Sequence, residues 1–576
     1  MRGRDVSPTF TELVTLFERG ELANQMAQRF GMGASEEIRW MEECCITLHN
    51  SGAIDLLVLI EEGALLELPG TDFFMASHFF CRLLPELDAS PDRMMRCVDG
   101  LVTRGGQDGA AHEPNSAFRK WCANVPMRAH EVITAAHGGN ELASQHLVFA
   151  LEAIKNLSEA RLMAIEYEGV RRQAAIAALG RIEHPNSEGC AETFTLFHRL
   201  LNSNTEDAVS ASILHATMEI LTQGHQISST EANSLVSRLV IEPGPFTVHQ
   251  CARSLWSCRQ ALTNDIVCFL MNALEQLDTD NKGTIEELDL GLRVLLELGY
   301  DESAVSLVTT LLSRQDNDLQ LEAFDSFTHS LISGTPDLLS RVVVRWLELG
   351  LPKLCRGLAE AIKGPGLDGV PLTLKGEDLD LTPATQLFIC RKAVGWFFLK
   401  PTTAASILVS ILRYCDAHTA QEVQRLLVDT LLRNYGGVRD YLESLTPEDA
   451  AGKFVSAALA QNLAYIDAQR SVPLLVELQP SEHHRRIERL RISDQMREGY
   501  KQAERGSIFF GLVNRSVLLY GNRSLSFIDD GQDGLRHVEV DLQSHGFSYE
   551  MPRMEVVDPI GLDYILRVFR NERMKK

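Results

Sequence analysis

The chain has 576 residues, 45% of them hydrophobic and 23% charged, with a formal net charge of −23 at pH 7. That length exceeds one ordinary globular core and predicts either several domains or one extended repeat array. The composition argues against disorder, and the acidic excess repels a phosphate backbone, which disfavours non-specific nucleic-acid binding by the surface as a whole.

The charge is unevenly placed. Residues 481–576 carry 16 Lys and Arg against 15 Asp and Glu, so the acid belongs to residues 1–480. Twelve cysteines, among them Cys44, Cys45, Cys81, Cys251, Cys258, Cys268 and Cys390, are scattered through apolar helical patterns with no CxxC pair. Reduced thiols in a cytoplasmic protein are the expectation. The N-terminus MRGRDVSPTF has no apolar run of the signal-peptide kind, and the most apolar stretch, AIDLLVLIEEGALLEL, is broken by Glu61 and Glu62. No membrane contact is expected.

In chain order, helices are predicted over Ser35 to Asn50 and Pro91 to Arg104, the second with Ser90 as N-cap and proline at its first position. The clearest pattern follows at Val170 to Ile182, VRRQAAIAALGRI, where Val170, Ala174, Ala175, Ala178, Leu179 and Ile182 draw one helical stripe. Pro185 and Asn186 stop that helix. VSASILHATMEIL repeats the stripe from Val209 with Ile213, Leu214, Thr217, Met218 and Leu221, and a looser copy begins at Val248 with Cys251, Ala252, Leu255 and Trp256. A period near 40 residues with two helices per unit marks stacked helical pairs.

Glu168 to Pro185, ExVRRQAAIAALGRIEHP, resembles a HEAT repeat of the short bacterial type, and the resemblance extends over about residues 140–350. It implies an α-α superhelix whose inner helices form a concave surface for a partner protein, and it implies no activity.

Asp278 to Asp289, DTDNKGTIEELD, resembles an EF-hand loop in its first, third, sixth, eighth and twelfth positions, but Lys282 stands where an oxygen ligand belongs and Asp289 where a bidentate Glu is usual. The competing reading is a polar turn between helices, with Thr284 as the cap and Glu287 completing a capping box. Residues 363–385 form a Gly/Pro-rich loop or boundary, and helices resume over 386–480.

Residues 481–505 read as a charged connecting helix carrying His483, His484, Arg485, Arg486, Arg489 and Arg491, interleaved with Glu482, Glu488, Asp494, Glu498 and Glu504. Alternating apolar runs then read as strands separated by NR, GNR and DDGQDG turns. Asp558 and Pro559 open a last helix that is expected to cover the small sheet, giving an α+β module over 506–576. Within it Asp529, Asp530, Glu539 and Asp541 suggest a carboxylate cluster, although no lysine follows Glu539 at nuclease spacing and charged turns supply the same residues. GQDG at 106–109 and 531–534 reads as two unrelated turns.

The chain contains no GxxxxGK[ST], GxSxG, HExxH or strand-to-helix GxGxxG. The fold expected is mainly α, a HEAT-like solenoid over 1–362 with a small C-terminal α+β module. No catalytic, cofactor-binding or metal residue is assigned, and no cofactor is expected. The function expected is that of a non-enzymatic scaffold or adaptor for a partner protein, within a multi-protein system. The alternative is a solenoid that positions a C-terminal module for nucleic-acid sensing or metal-dependent processing, the only part expected to meet nucleic acid.

Overall fold

Several helices in this chain are capped from their own sequence. Thr9, Asn140, Asn156, Thr263, Asn281, Thr382 and Asp416 each accept a backbone N–H of the following first turn, which satisfies donors that a helix start leaves open. The computed structural model describes residues 9–30, 36–106, 112–203, 206–224, 229–314, 317–334, 336–363, 368–445, 450–473, 480–506, 513–519, 523–529, 535–541 and 553–574. Two units, Met1–Val342 and Val343–Lys576, make up the chain.

In the first unit the helices are α1 (Phe10–Glu18), α2 (Leu22–Phe30), α3 (Glu36–Asn50), α4 (Val58–Glu61), α5 (Gly70–Leu83), α6 (Pro91–Gly105), α7 (His112–Asn124), α8 (Pro126–His137), α9 (Glu141–Ile154) and α10 (Leu157–Glu166). They continue as α11 (Gly169–Arg181), α12 (Ser187–Ser203), α13 (Asp207–Thr222), α14 (Ser229–Leu239), α15 (Pro245–Ser257), α16 (Asn264–Leu274), α17 (Lys282–Glu297), α18 (Asp301–Ser313) and α19 (Asp325–Ser333), with α20 (Pro336–Leu349) spanning the unit boundary. Every second helix packs on the next but one. The odd-numbered helices from α3 to α19 form one continuous row, and α10, α12, α14, α16 and α18 form another. This helical repeat-like stacking follows from the stripes: each helix has an apolar face too wide for one neighbour, so a second is needed to bury it.

Small residues set the spacing within the odd row. A Cβ on Gly180 would lie 2.6 Å from the Ala216 Cα, and one on Gly291 would lie 2.7 Å from the Leu255 Cβ. Polar side chains then tie each repeat to the next. The Trp121 indole N–H donates to the Leu87 carbonyl at 2.9 Å, Gln223 Nε2 to the Gly180 carbonyl at 2.9 Å, and Arg314 Nη1 to the Leu277 carbonyl at 2.9 Å. The Asp207 carboxylate accepts the Phe246 N–H at 2.7 Å and the Thr247 hydroxyl at 2.6 Å, capping α15 from the preceding repeat. These partners stand 34 to 43 residues apart in sequence, which is the repeat period written in hydrogen bonds.

Two details depart from the sequence pattern. Val170, placed on the buried stripe, is 55% exposed, while Ile176 is buried in its stead. Gly169 has φ of +59° and begins the helix, so Val170 falls in the first turn, ahead of the face that meets α13. Ser90 also makes no side-chain cap, although Pro91 does open α6.

In the second unit, α21 (Pro352–Ala361), α22 (Pro383–Phe397), α23 (Pro401–Leu412), α24 (Ala417–Leu426), a π-helical turn at Leu427–Leu432, α25 (Gly436–Glu443) and α26 (Gly452–Arg470) again pack in alternation, α22 on α24 and α24 on α26. The Gly/Pro-rich segment is described from residue 368. It runs extended along α23, where Val370, Leu372 and Leu374 donate their N–H groups to the hydroxyls of Thr403, Ser406 and Ser410 at 3.0, 2.9 and 3.2 Å. Alternate residues of an extended chain thus meet hydroxyls spaced three and four along a helix, so this stretch is a bound strap and not a free loop.

Beyond it come α27 (Glu482–Gly506), an antiparallel meander of β1 (Val513–Leu519), β2 (Arg523–Asp529) and β3 (Leu535–Asp541), and the last helix α28 (Pro559–Asn571). The register pairs Ser516 with Ser526 and Leu525 with Glu539. The compact α+β module expected over 506–576 is corrected at its helix. The described α28 packs on α22, burying Leu562 and Leu566, so the element expected to cover the sheet is committed to the helical body.

Candidate functional site

The calcium-loop resemblance fails on geometry. Lys282 to Asp289 are already helical, so they cannot wrap an ion in the way a loop does. Asp289 is 8% exposed, and its two carboxylate oxygens accept the Ser326 and Phe327 N–H groups at 2.9 Å each, capping α19 in the next repeat. The cap of α17 is Asn281, not Thr284, whose hydroxyl instead meets the ring of His249 at 3.0 Å. Glu287 accepts the Trp256 indole N–H rather than closing a capping box.

Of the carboxylates in the meander, Asp529 and Asp541 stand at opposite ends. Asp530, the GQDG at 531–534 and the GQDG at 106–109 from its second residue onward lie outside the described residues. Asp529 pairs with Leu535 at one end of β2, and Asp541 pairs with Arg523 at the other, a separation of about 20 Å along a strand of that length. On α27, Arg491 pairs with Glu488 at 2.7 Å and Arg497 with Asp494 at 2.8 Å, so part of the basic cluster is neutralised within the helix. Among the described residues, no group of three His, Cys, Asp or Glu is placed to hold a metal ion.

The cysteines are free. Burial pushes the thiols of Cys45, Cys81, Cys97, Cys122 and Cys355 up to about 12 and raises those of Cys251 and Cys390 as well, which keeps them protonated and unreactive. A cleft of about 870 Å³ lies beside α6, lined by Asp55, Glu61, Arg93, Arg96 and Asp99. Its charges are largely spent on one another: Arg93 bonds Asp55 at 2.8 Å and Glu61 at 2.7 Å, and Arg96 pairs with Asp92 at 2.8 Å.

A different arrangement runs across the odd row. Stacking of α11 on α13 and of α13 on α15 sets His215, in the middle of α13, against Gln250 on α15 and within the fields of Arg181, at the end of α11, and of Arg253 on α15. Gln250 Nε2 approaches His215 Nδ1 at 3.3 Å and Ser254 Oγ at 3.2 Å. Burial, followed by the positive charges of Arg181 and Arg253, pushes His215 down to about 4, so the imidazole is neutral at pH 7. Arg181 lies over the Phe149 ring at 5.5 Å, and its acidic neighbour Glu152, 4.0 Å away, is already held by Arg119 at 2.8 Å. Arg253 is exposed and makes no ion pair among the described residues. Further along the row stand Trp256, bonded to Glu287, and the exposed Leu290.

The apolar stripes read from the sequence do not single out His215, Gln250 or Arg253. Their signal is faint in one sequence: the contacting positions His215 and Gln250 are 35 residues apart, a crossing offset shorter than the 39-residue repeat of the stripes.

A second surface lies in the other unit, where an apolar groove of about 260 Å³ separates the π-helical turn from α28 and is lined by Leu426, Thr430, Tyr564, Ile565, Val568 and Phe569. Ile560 and Tyr564 on the same helix are 82% and 69% exposed.

No family model matches the chain, and no curated protein matches it. Among solved structures it is similar to an engineered protein determined by the Northeast Structural Genomics Consortium, at 14% identity over 79% of this chain and 98% of that one, with a TM-score of 0.23. That score is too low to bear on the fold. No helix among the described residues is long and apolar enough to cross a membrane.

Proposed function

We propose that this chain is a non-enzymatic scaffold or adaptor that binds a partner protein through its helical-repeat surface, as a subunit of a cytoplasmic multi-protein system. The observation that carries the reading is the row of side chains along α11, α13 and α15, Arg181, His215, Gln250, Arg253 and Trp256, to which successive repeats each contribute. Repeat stacks bind by such strips because neighbouring helices hold side chains at fixed spacing without a deep pocket. The buried, protonated thiols and the self-neutralised cleft beside α6 favour recognition over chemistry. The resemblance of Glu168 to Pro185 to a HEAT unit fits the same role.

The test is reconstitution. The tagged full chain is purified from the cells that make it, each co-purifying protein is produced separately, and each is mixed with the purified chain. A stable complex of fixed stoichiometry is the expected result. Failure of every candidate to form one, together with salt-sensitive binding of a labelled oligonucleotide by the full chain, would overturn this reading in favour of a nucleic-acid module.

A further inference from the structure

We propose that Tyr167 is a modification site, a nucleophilic phenol that accepts an acyl group from an activated ester or thioester, with His137 taking the phenol proton. The inference goes beyond the scaffold reading and does not rest on it.

Three side chains of the first unit meet in line at this point. His137 is the last residue of α8, Glu159 lies in the first turn of α10, and Tyr167 is the C-cap of that same helix. The Tyr167 hydroxyl is hydrogen-bonded to His137 Nδ1, and on the other side of the ring Glu159 Oε1 stands 3.9 Å from His137 Nε2. Phenol, imidazole and carboxylate thus follow one another in the order of nucleophile, base and orienting acid, an arrangement recognised by geometry and not by sequence position. The carboxylate is itself held. Asn156 Nδ2 donates to Glu159 Oε2 at 3.1 Å, which leaves Oε1 to face the ring. With the Nε2 proton directed at Glu159, Nδ1 presents its lone pair to the phenol.

Arg171 on α11 lies over the Tyr167 ring at 4.5 Å, anchored by a bond from Nη1 to the Ala136 carbonyl at 3.3 Å. Its charge favours the negative charge that develops on the phenol oxygen during attack. The site is also open to solvent, since the His137 side chain is 40% exposed, that of Glu159 28%, and Tyr167 is half-buried.

The step is an acyl transfer. The phenol oxygen bonds to the acyl carbon while its proton passes to His137 Nδ1, and the bond from that carbon to the leaving alkoxide or thiolate breaks with its electron pair. The imidazolium, steadied by Glu159, then gives its proton to the leaving group. An aryl ester on Tyr167 and a free alcohol or thiol result. A phosphoryl donor suits the site less well, because the transferred group would bring negative charge beside the Glu159 carboxylate, whereas an acyl carbon is uncharged.

The experiment treats the full chain with p-nitrophenyl acetate near neutral pH and follows acetylation of each tyrosine by peptide mass spectrometry. Tyr564 and Tyr500 are the references, being 69% and 59% exposed. Tyr167 is expected to react faster than either by about tenfold or more. His137→Gln keeps a polar side chain that accepts no proton, and it should slow Tyr167 by about tenfold or more. Glu159→Gln should slow it by a smaller factor, part of which Glu159→Asp recovers, as a positioning role for the carboxylate requires. Tyr564 should react at the wild-type rate in every variant, which separates these effects from unfolding. A Tyr167 that reacts no faster than Tyr564, or one whose rate His137→Gln leaves unchanged, overturns the proposal.

Discussion

At the scale of single residues, the fold depends on a few positions where packing leaves no latitude. A methyl group on Gly180 would sit 2.6 Å from the Ala216 Cα and 3.1 Å from its carbonyl oxygen, both backbone atoms that cannot rotate away. Gly180→Ala should therefore lower stability by about 1–3 kcal/mol despite the better helix propensity of alanine. Gly283→Ala, whose nearest neighbour is the Asn281 side chain at 3.8 Å, should not. Urea midpoints of the two variants measure the difference. Asp289→Ala removes a buried cap from α19 and should cost about 1–2 kcal/mol, with calcium leaving the wild-type midpoint unchanged. A calcium-dependent rise in that midpoint would restore the ion-site reading.

His146 gives the pH dependence. It is 5% exposed, its ring is tilted against Phe118 with centroids 4.9 Å apart, and its ring nitrogens make no hydrogen bond of ordinary geometry. Burial pushes it down to about 4, offset in part by the Asp99 charge and the Met95 carbonyl. Between that value and the unfolded value near 6.5, the unfolded chain binds more protons. Stability present above pH 6.5 is thus lost as pH falls toward 4, by about 3 kcal/mol from this one ring. His146→Leu should flatten that acid slope in denaturation curves taken from pH 7 to 4.5, and an unchanged slope would assign the acid sensitivity elsewhere.

At the scale of elements, α28 is held by its C-terminal end. Lys392 on α22 is fully buried and donates to the Arg570 and Glu572 carbonyls at 2.7 Å each, where the negative end of the helix dipole also favours a cation. Arg391 grips Glu572 with two bonds of 2.7 Å, Arg570 returns a bond to the Gly395 carbonyl at 2.6 Å, and Arg573 reaches the Gly350 carbonyl at 2.7 Å. Lys392→Met leaves two buried carbonyls without donors, about 2–4 kcal/mol against docking. Hydrogen exchange over residues 559–572 should accelerate sharply in that variant while α9 to α19 are unaffected, and an unchanged rate would show that apolar contacts alone hold the helix.

These elements also show what one sequence displays and what it hides. The stripes of α11, α13 and α15 were legible because burial on one helical face imposes a period that no other structure uses. Asp558 and Pro559 likewise announced the start of α28, and the Asp558 side chain does accept the Gly561 N–H at 2.9 Å. Where α28 would dock was not legible, since an apolar face states that a partner exists and not which one. The same holds for Asp289, whose carboxylate reads equally as a ligand or as a cap until α19 is placed beside it. The contact of His215 with Gln250 was hidden for a related reason: its members come from two helices, and their offset is set by the crossing of neighbours.

At the scale of the whole molecule, each of the two helical units packs its described helices in alternation, and the proposed scaffold reading uses one such row of neighbouring helices. The acidic charge of residues 1–480 repels polyanions at long range. Hydrogen exchange on the full chain, free and in complex with its reconstituted partner, tests this account most directly. Protection is predicted over α11, α13, α15 and α17, centred on Arg181, His215 and Arg253. Protection confined to residues 481–576, with the odd row unchanged, would contradict it.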